Sequence, residues 1–236
     1  MYYQTKLIKN HFPNSQHIII DGRKNWPYSW FYWINEIKKT ECDYFIHVDE
    51  DFFLLSREEL DKCIQKMEDD NIDIMGVPDG YHKYRGANPV AINSFLMIGR
   101  RSILGNINLD DIRFQYNQLD GWINNKGLKF KNDYKSDFKY PFNDREEHHN
   151  FYFEQEPYYA FLWSLKENGA KIGYLFAHFD DRFKSTNPRL DESSPDIGIH
   201  MWYTRQWNST FDVHGISNIE RYNRVEKFLI DEWKLQ

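Results

Sequence analysis

A chain of 236 residues is long enough for one sizeable core, at the usual ~100–200 residues per domain. A hydrophobic fraction of 41% with 18% aromatics excludes general disorder. The 30 Lys plus Arg against 36 Asp plus Glu give a net charge of -6, which excludes a nucleic-acid binder whose affinity rests on a broad basic patch. A phosphate-bearing ligand would need local help, such as a metal ion.

From Met1 to about Asn10 the pattern is weakly helical, and Pro13-Asn14-Ser15 marks a turn. Gln16 to Ile20 is a short β-rich run ending in Asp21-Gly22. Trp26-Pro27 then opens a helical stretch to about Lys39, in which Trp30, Trp33, Ile34 and Ile37 recur at helical spacing and face one core.

Tyr44-Phe45-Ile46-His47-Val48 is a continuous apolar run of the length expected for a central parallel strand covered on both faces, and it ends in Asp49-Glu50-Asp51. Ser56 with Glu59 three residues on forms a capping box. The helix it opens carries Leu60, Ile64 and Met67 on one face and stops near Asp70-Asn71; Ile72 to Val77 is the next strand. This alternation of strand and helix predicts a parallel sheet wound with helices, since parallel neighbours need a crossover.

Tyr81 to Pro89 reads as loop and Val90 to Gly99 as a strand, followed by Arg100-Arg101. About Asn106 to Phe153 is rich in Asn, Asp, Lys and aromatics with little periodicity, a candidate for binding loops. Within it, His148-His149 follows Glu146-Glu147 and reads as a solvated loop. Glu154 to Gly169 has the marks of a short helix, with Glu156 at the N-cap, Pro157 at the first helical position and a terminal Gly; Gly169 to Leu175 continues as a strand. With no repeat and no low-complexity linker, residues 1–236 read as a single domain.

Cys42 and Cys63, with no CxxC spacing, exclude a zinc ribbon and fit a reducing, cytoplasmic setting. No run reaches the ~18–20 apolar residues of a membrane span, and the polar start lacks a signal-peptide core. The sequon Asn208-Ser209-Thr210 would matter only in a secreted protein.

Three places carry candidate chemistry. In an extended segment residues two apart share a side, so Asp49 and Asp51 would point together at the carboxyl edge of the sheet, where α/β proteins bind ligands. Two convergent carboxylates are hard ligands for Mg²⁺ or Mn²⁺; the same residues also suit a solvated strand end. Glu156 at a helix start would be held ionised by the dipole and free amides, which suits a base and equally a plain cap. Arg205 has the guanidinium geometry to grip a diphosphate, and Trp202 or Tyr203 could cover a bound donor; surface or core roles suit them equally.

The stretch Phe45 to Phe53, with its aspartate-x-aspartate motif after a buried strand, resembles the GT-A glycosyltransferases. The resemblance implies an α/β fold with a mixed, mainly parallel central sheet flanked by helices. It also implies a nucleotide-sugar donor such as a UDP- or GDP-sugar, and Mn²⁺ or Mg²⁺ held by Asp49 and Asp51. The acidic helix start is similar to that of inverting members, whose general base maps onto Glu156; the intervening Gln155 leaves Glu154 as the other candidate. Ile197 to Trp207 resembles the segment in which a late histidine, here His200, completes the metal site. Asp21 resembles the acidic residue that hydrogen-bonds the nucleotide base, although Asp-Gly is also an ordinary turn.

The implied organisation is a nucleotide- and metal-binding half over about 1–105 and an acceptor-side half over about 106–236, with the family's first strand not found before Asn10. The implied reaction moves a sugar to an acceptor hydroxyl with inversion. The rival readings are a non-catalytic carbohydrate-binding protein, an inactive GT-A relative, and a metal-dependent phosphohydrolase, which would want further ligands on neighbouring strand ends.

Overall fold

The computed structural model describes residues 2–22, 29–78, 91–105, 107, 158–201, 212–213 and 215–233. It is a mixed α/β structure with two four-stranded sheets and a short ribbon. The chain divides into two compact units: one holds Met1–Ser15, Val48–Gln65 and Leu175–Gln236, the other Gln16–His47 and Lys66–Tyr174.

In the second of these, the sheet has the order β1-β4-β3-β5, from β1 (Tyr44–Val48), β3 (Ile74–Pro78), β4 (Ile92–Arg100) and β5 (Ile172–Tyr174). β3 runs parallel to β5 and antiparallel to β4, so the sheet is mixed. The expected parallel winding of Tyr44–Val48 beside Ile72–Val77 is not seen, since β4 stands between β1 and β3; β3 has β5 as a parallel neighbour instead. Strands consecutive in sequence, such as β3 and β4, can pair antiparallel without a crossover. β1 stands at the end of this order, and of its residues only Phe45 is buried. Among the described strands it is therefore an end strand and not the doubly covered central strand predicted from its apolar run.

The core of this unit collects Trp33 and Ile34 from α2 (Ser29–Lys38), Phe45, Ile74, Ile92 and Met97 from the sheet, and Phe161, Leu162 and Leu165 from α4 (Tyr159–Glu167). Trp33 meets Phe45, His47 and Phe161 edge-on at 5.2, 5.0 and 6.0 Å, the geometry that ring quadrupoles favour. Of the predicted helical face, Trp33 and Ile34 are buried and Ile37 packs against the same cluster. Gln16 to Ile20 forms no strand. Among the described residues its β-branched residues have no ladder partner; Ile20 packs against the core while Ile19 is exposed.

In the other unit, β2 (Phe52–Leu54), β8 (Gly198–His200), β7 (Ser185–Arg189) and β6 (Phe176–Asp180) form an antiparallel sheet in that order. Its core joins Leu7 of α1 (Tyr2–His11) to Phe53, Leu55, Ile199 and Met201, and to Val225 and Leu229 of α5 (Asn218–Trp233). Asn218, Arg221, Val225 and Leu229 are the buried positions of α5, spaced to fall on one helical face. The helix start is capped as its sequence directs, with Glu220 N–H donating to Ser217 Oγ at 3.2 Å. β9 (Asp212–Val213) and β10 (Ile216–Ser217) form the small ribbon before it.

The helix α3 (Arg57–Asp69) begins at the predicted cap, where Glu59 N–H donates to Ser56 Oγ at 3.2 Å. Arg57 donates to the His11 carbonyl at 2.9 Å and sits over the Phe12 ring, tying the end of α1 to the start of α3. Among the described residues no helix is long and apolar enough to cross a membrane.

Candidate functional site

The acidic triplet after β1 is a turn and not an extended segment. Phe52 N–H donates to the Asp49 carbonyl at 3.2 Å, closing a four-residue β-turn over Asp49-Glu50-Asp51-Phe52. The alternation that would send Asp49 and Asp51 to one side therefore does not govern here, since its period belongs to extended backbone. The turn exists because β2 enters an antiparallel ladder with β8 straight after it. Phe52 pairs with His200, Phe53 with Ile199 and Leu54 with Gly198.

That register brings Asp51 to His200. Met201 N–H donates to the Asp51 carbonyl at 2.9 Å, extending the ladder by one step. His200 Nε2 then lies 3.3 Å from Asp51 Oδ1, and both residues are buried, at 3% and 8% exposure. His200 also pairs across the sheet with Thr186 of β7. Two residues about 150 positions apart in the chain thus meet because of a strand register, which only the fold can supply.

A buried arginine stands behind this pair. Arg221 has no exposed surface and donates to Asn218 Oδ1 at 3.0 Å and to the carbonyls of Phe183 and Lys184 at 3.3 and 2.8 Å. Burial pulls its pKa down to about 10, and the Asp51 carboxylate opposes that fall. Arg221 therefore remains charged at neutral pH and answers the charge of Asp51. No sequence signal marked it as part of a site, although an arginine on the same stripe as Val225 and Leu229 is an anomaly that a helical wheel reveals.

Gln4 was also missed. This residue of α1 is 6% exposed, and its side-chain amide donates to the Asp49 carbonyl.

The Asp51 and His200 pair suits a divalent cation. Two ligands at right angles on an ion about 2.1 Å away lie about 3 Å apart, close to the 3.3 Å seen here. Among the described residues, no group of three or more His, Cys, Asp or Glu side chains is placed to hold a metal ion.

Asp21 belongs to the unit containing β1, is partly exposed, and follows the run that forms no strand. Glu154, Glu156, Arg205, Trp202 and Tyr203 lie outside the described residues. The helix expected after Glu156 is present as α4, but its N-cap is Tyr158 and not Glu156, with no side-chain capping bond. At its other end Gly169 adopts φ +85°, the left-handed conformation expected of a glycine just past a helix.

No family model, curated protein or solved structure matches this chain.

Proposed function

We propose that this protein is a glycosyltransferase of the GT-A kind, moving a sugar from a nucleoside-diphosphate donor to an acceptor hydroxyl. The observation that carries the reading is the buried Asp51–His200 contact at the exit of an aspartate-x-aspartate turn. An acidic protein that binds a diphosphate needs positive charge at that place. A divalent cation, Mn²⁺ or Mg²⁺, would supply it by stabilising the charge that develops on the departing diphosphate.

Asp51 and His200 are the residues that would hold this ion, and Asp49 of the same turn does not join them in a three-ligand group. Their burial lowers the local dielectric and strengthens every charge interaction made there. In the same reading Glu156, or Glu154, takes the proton from the acceptor hydroxyl, and a single in-line displacement inverts the anomeric carbon. Arg205 grips the diphosphate.

One observation favours a second reading. Asp51 already has His200 beside it and the buried charge of Arg221 in reach, so the cluster is balanced by protein groups alone. This suits an inactive relative that keeps the fold as a carbohydrate-binding or interaction module.

Release of nucleoside diphosphate from a panel of UDP- and GDP-sugars, with and without a glycan acceptor, separates the two. The transferase reading expects acceptor-dependent release that Glu156→Gln lowers at least a hundredfold, the scale of general-base catalysis. Equal turnover in a folded Glu156→Gln protein removes that base assignment, and a product of retained anomeric configuration removes the single displacement.

A further inference from the structure

The Asp49 carbonyl accepts from two donors that come from opposite directions along the chain. One is Phe52 N–H at 3.2 Å, which closes the turn; the other is the side-chain amide of Gln4. A carbonyl can only accept, so the atom facing it is the amide NH₂ and the orientation of the Gln4 side chain is fixed by chemistry. Two donors use both lone pairs of that oxygen.

Gln4 is unusual for its place. It lies three residues before Leu7, which is 1% exposed in the core, so helical spacing puts both on the stripe of α1 that packs inward. An aliphatic residue at such a position would gain burial energy without desolvating an amide. The helix itself is anchored independently, by Leu7 in the core and by Arg57 on the His11 carbonyl. Fixing α1 therefore does not require Gln4. What the amide adds is a hold on the backbone of the acidic turn.

We propose that Gln4 is a positioning residue: it clamps the Asp49 carbonyl, and so sets the Asp49–Phe52 turn that presents Asp51 to His200. Its relevance to cation binding rests on the transferase reading, whereas the clamp itself does not. On its far side the turn is braced by the Met201 N–H on the Asp51 carbonyl, whereas at Asp49 the closing bond from Phe52 N–H is its internal tie. A second bond to the same oxygen from a packed helix shifts the turn toward the closed form.

The test compares the full chain with Gln4→Met, which keeps length and burial but cannot donate, and with Leu7→Ala, a core truncation in the same helix. Amide hydrogen exchange at Phe52 is read against exchange at Thr186 in β7, and Mn²⁺ affinity is read from water-proton relaxation. The clamp predicts that Gln4→Met speeds Phe52 exchange about tenfold, the effect of about 1.4 kcal/mol, with Thr186 unchanged. It also predicts several-fold weaker Mn²⁺ binding. Leu7→Ala should lower thermal stability more, yet leave the ratio of Phe52 to Thr186 exchange near that of the unaltered protein.

Unchanged Phe52 exchange in Gln4→Met, or an equal change in the exchange ratio with Leu7→Ala, overturns the clamp. If the unaltered protein binds no Mn²⁺ while Gln4→Met still frees Phe52, the clamp stands and the transferase reading fails.

Discussion

Arg221 donates to the Lys184 carbonyl at 2.8 Å, from a helix residue with no exposed surface to a turn residue that holds φ at +52°. The left-handed conformation is costly for a lysine, and this hydrogen bond, with the one to Phe183, is what holds the turn between β6 and β7 against α5. The same guanidinium is the buried positive charge within reach of Asp51. Loop geometry and site electrostatics therefore share one residue.

Replacing Arg221 by Met should cost about 2–4 kcal/mol, since two carbonyls and the Asn218 amide oxygen would lose their donor in a buried setting. Urea unfolding of Arg221→Met measures this. Arg221→Lys should recover little, because an ammonium cannot span three acceptors in the guanidinium fork.

Gly198 sits opposite Leu54 in the β2–β8 ladder, two residues before His200. A Cβ there would lie 2.4 Å from the Phe52 ring and 2.6 Å from the Phe53 carbonyl oxygen. Gly198→Ala should destabilise by about 1–3 kcal/mol or more, because a backbone atom cannot yield as a side-chain tip can. Gly169→Ala meets nothing within 4 Å, so its cost should be only the left-handed φ, about 1–2 kcal/mol. Thermal midpoints of the two variants order them.

The fold and the candidate site were legible in unequal parts. The Ser56 side-chain cap and the strand at Tyr44 to Val48 lie where local pattern put them, but the reciprocal half of the capping box is absent, since Ser56 N–H donates to the Ile197 carbonyl instead. The burial of β1 was not legible, since a run of apolar residues says nothing about where its strand stands in the sheet order. Gln16 to Ile20 has strand composition and no strand, since a ladder needs a partner that composition does not name. Asp51 and His200 were both singled out, but their contact depends on the Phe52–His200 register. Gln4 and Arg221 were invisible because a polar residue on an inward stripe reads as an exception until its acceptor is seen.

The two cysteines should differ sharply. Cys42 is exposed, whereas burial, with a smaller contribution from Glu59, pushes the Cys63 thiol up to about 12. Titration with a thiol reagent should label Cys42 quickly in the native protein and Cys63 only on unfolding. Rapid native labelling of both would mean that α3 opens readily.

Asp180 gives a pH signature. Burial alone would raise its carboxyl, but hydrogen bonds from the Arg182 side chain and backbone, with the Arg182 charge, bring it below its ordinary value. A group depressed in the folded state contributes stability above its unfolded pKa of about 3.9, and loses that contribution as pH falls through the folded value. Unfolding free energy measured from about pH 5 downward should therefore fall less steeply in Asp180→Asn than in the unaltered protein. Parallel curves would contradict this.

The measurement that bears most directly on the central claim is calorimetric titration of UDP and GDP in Mn²⁺ and in EDTA, with Asp51→Ala as the comparison. The transferase reading predicts nucleotide binding that requires Mn²⁺ and is lost in Asp51→Ala while the fold persists. Binding that ignores both the metal and the substitution, or no binding of either nucleotide under any condition, would contradict it.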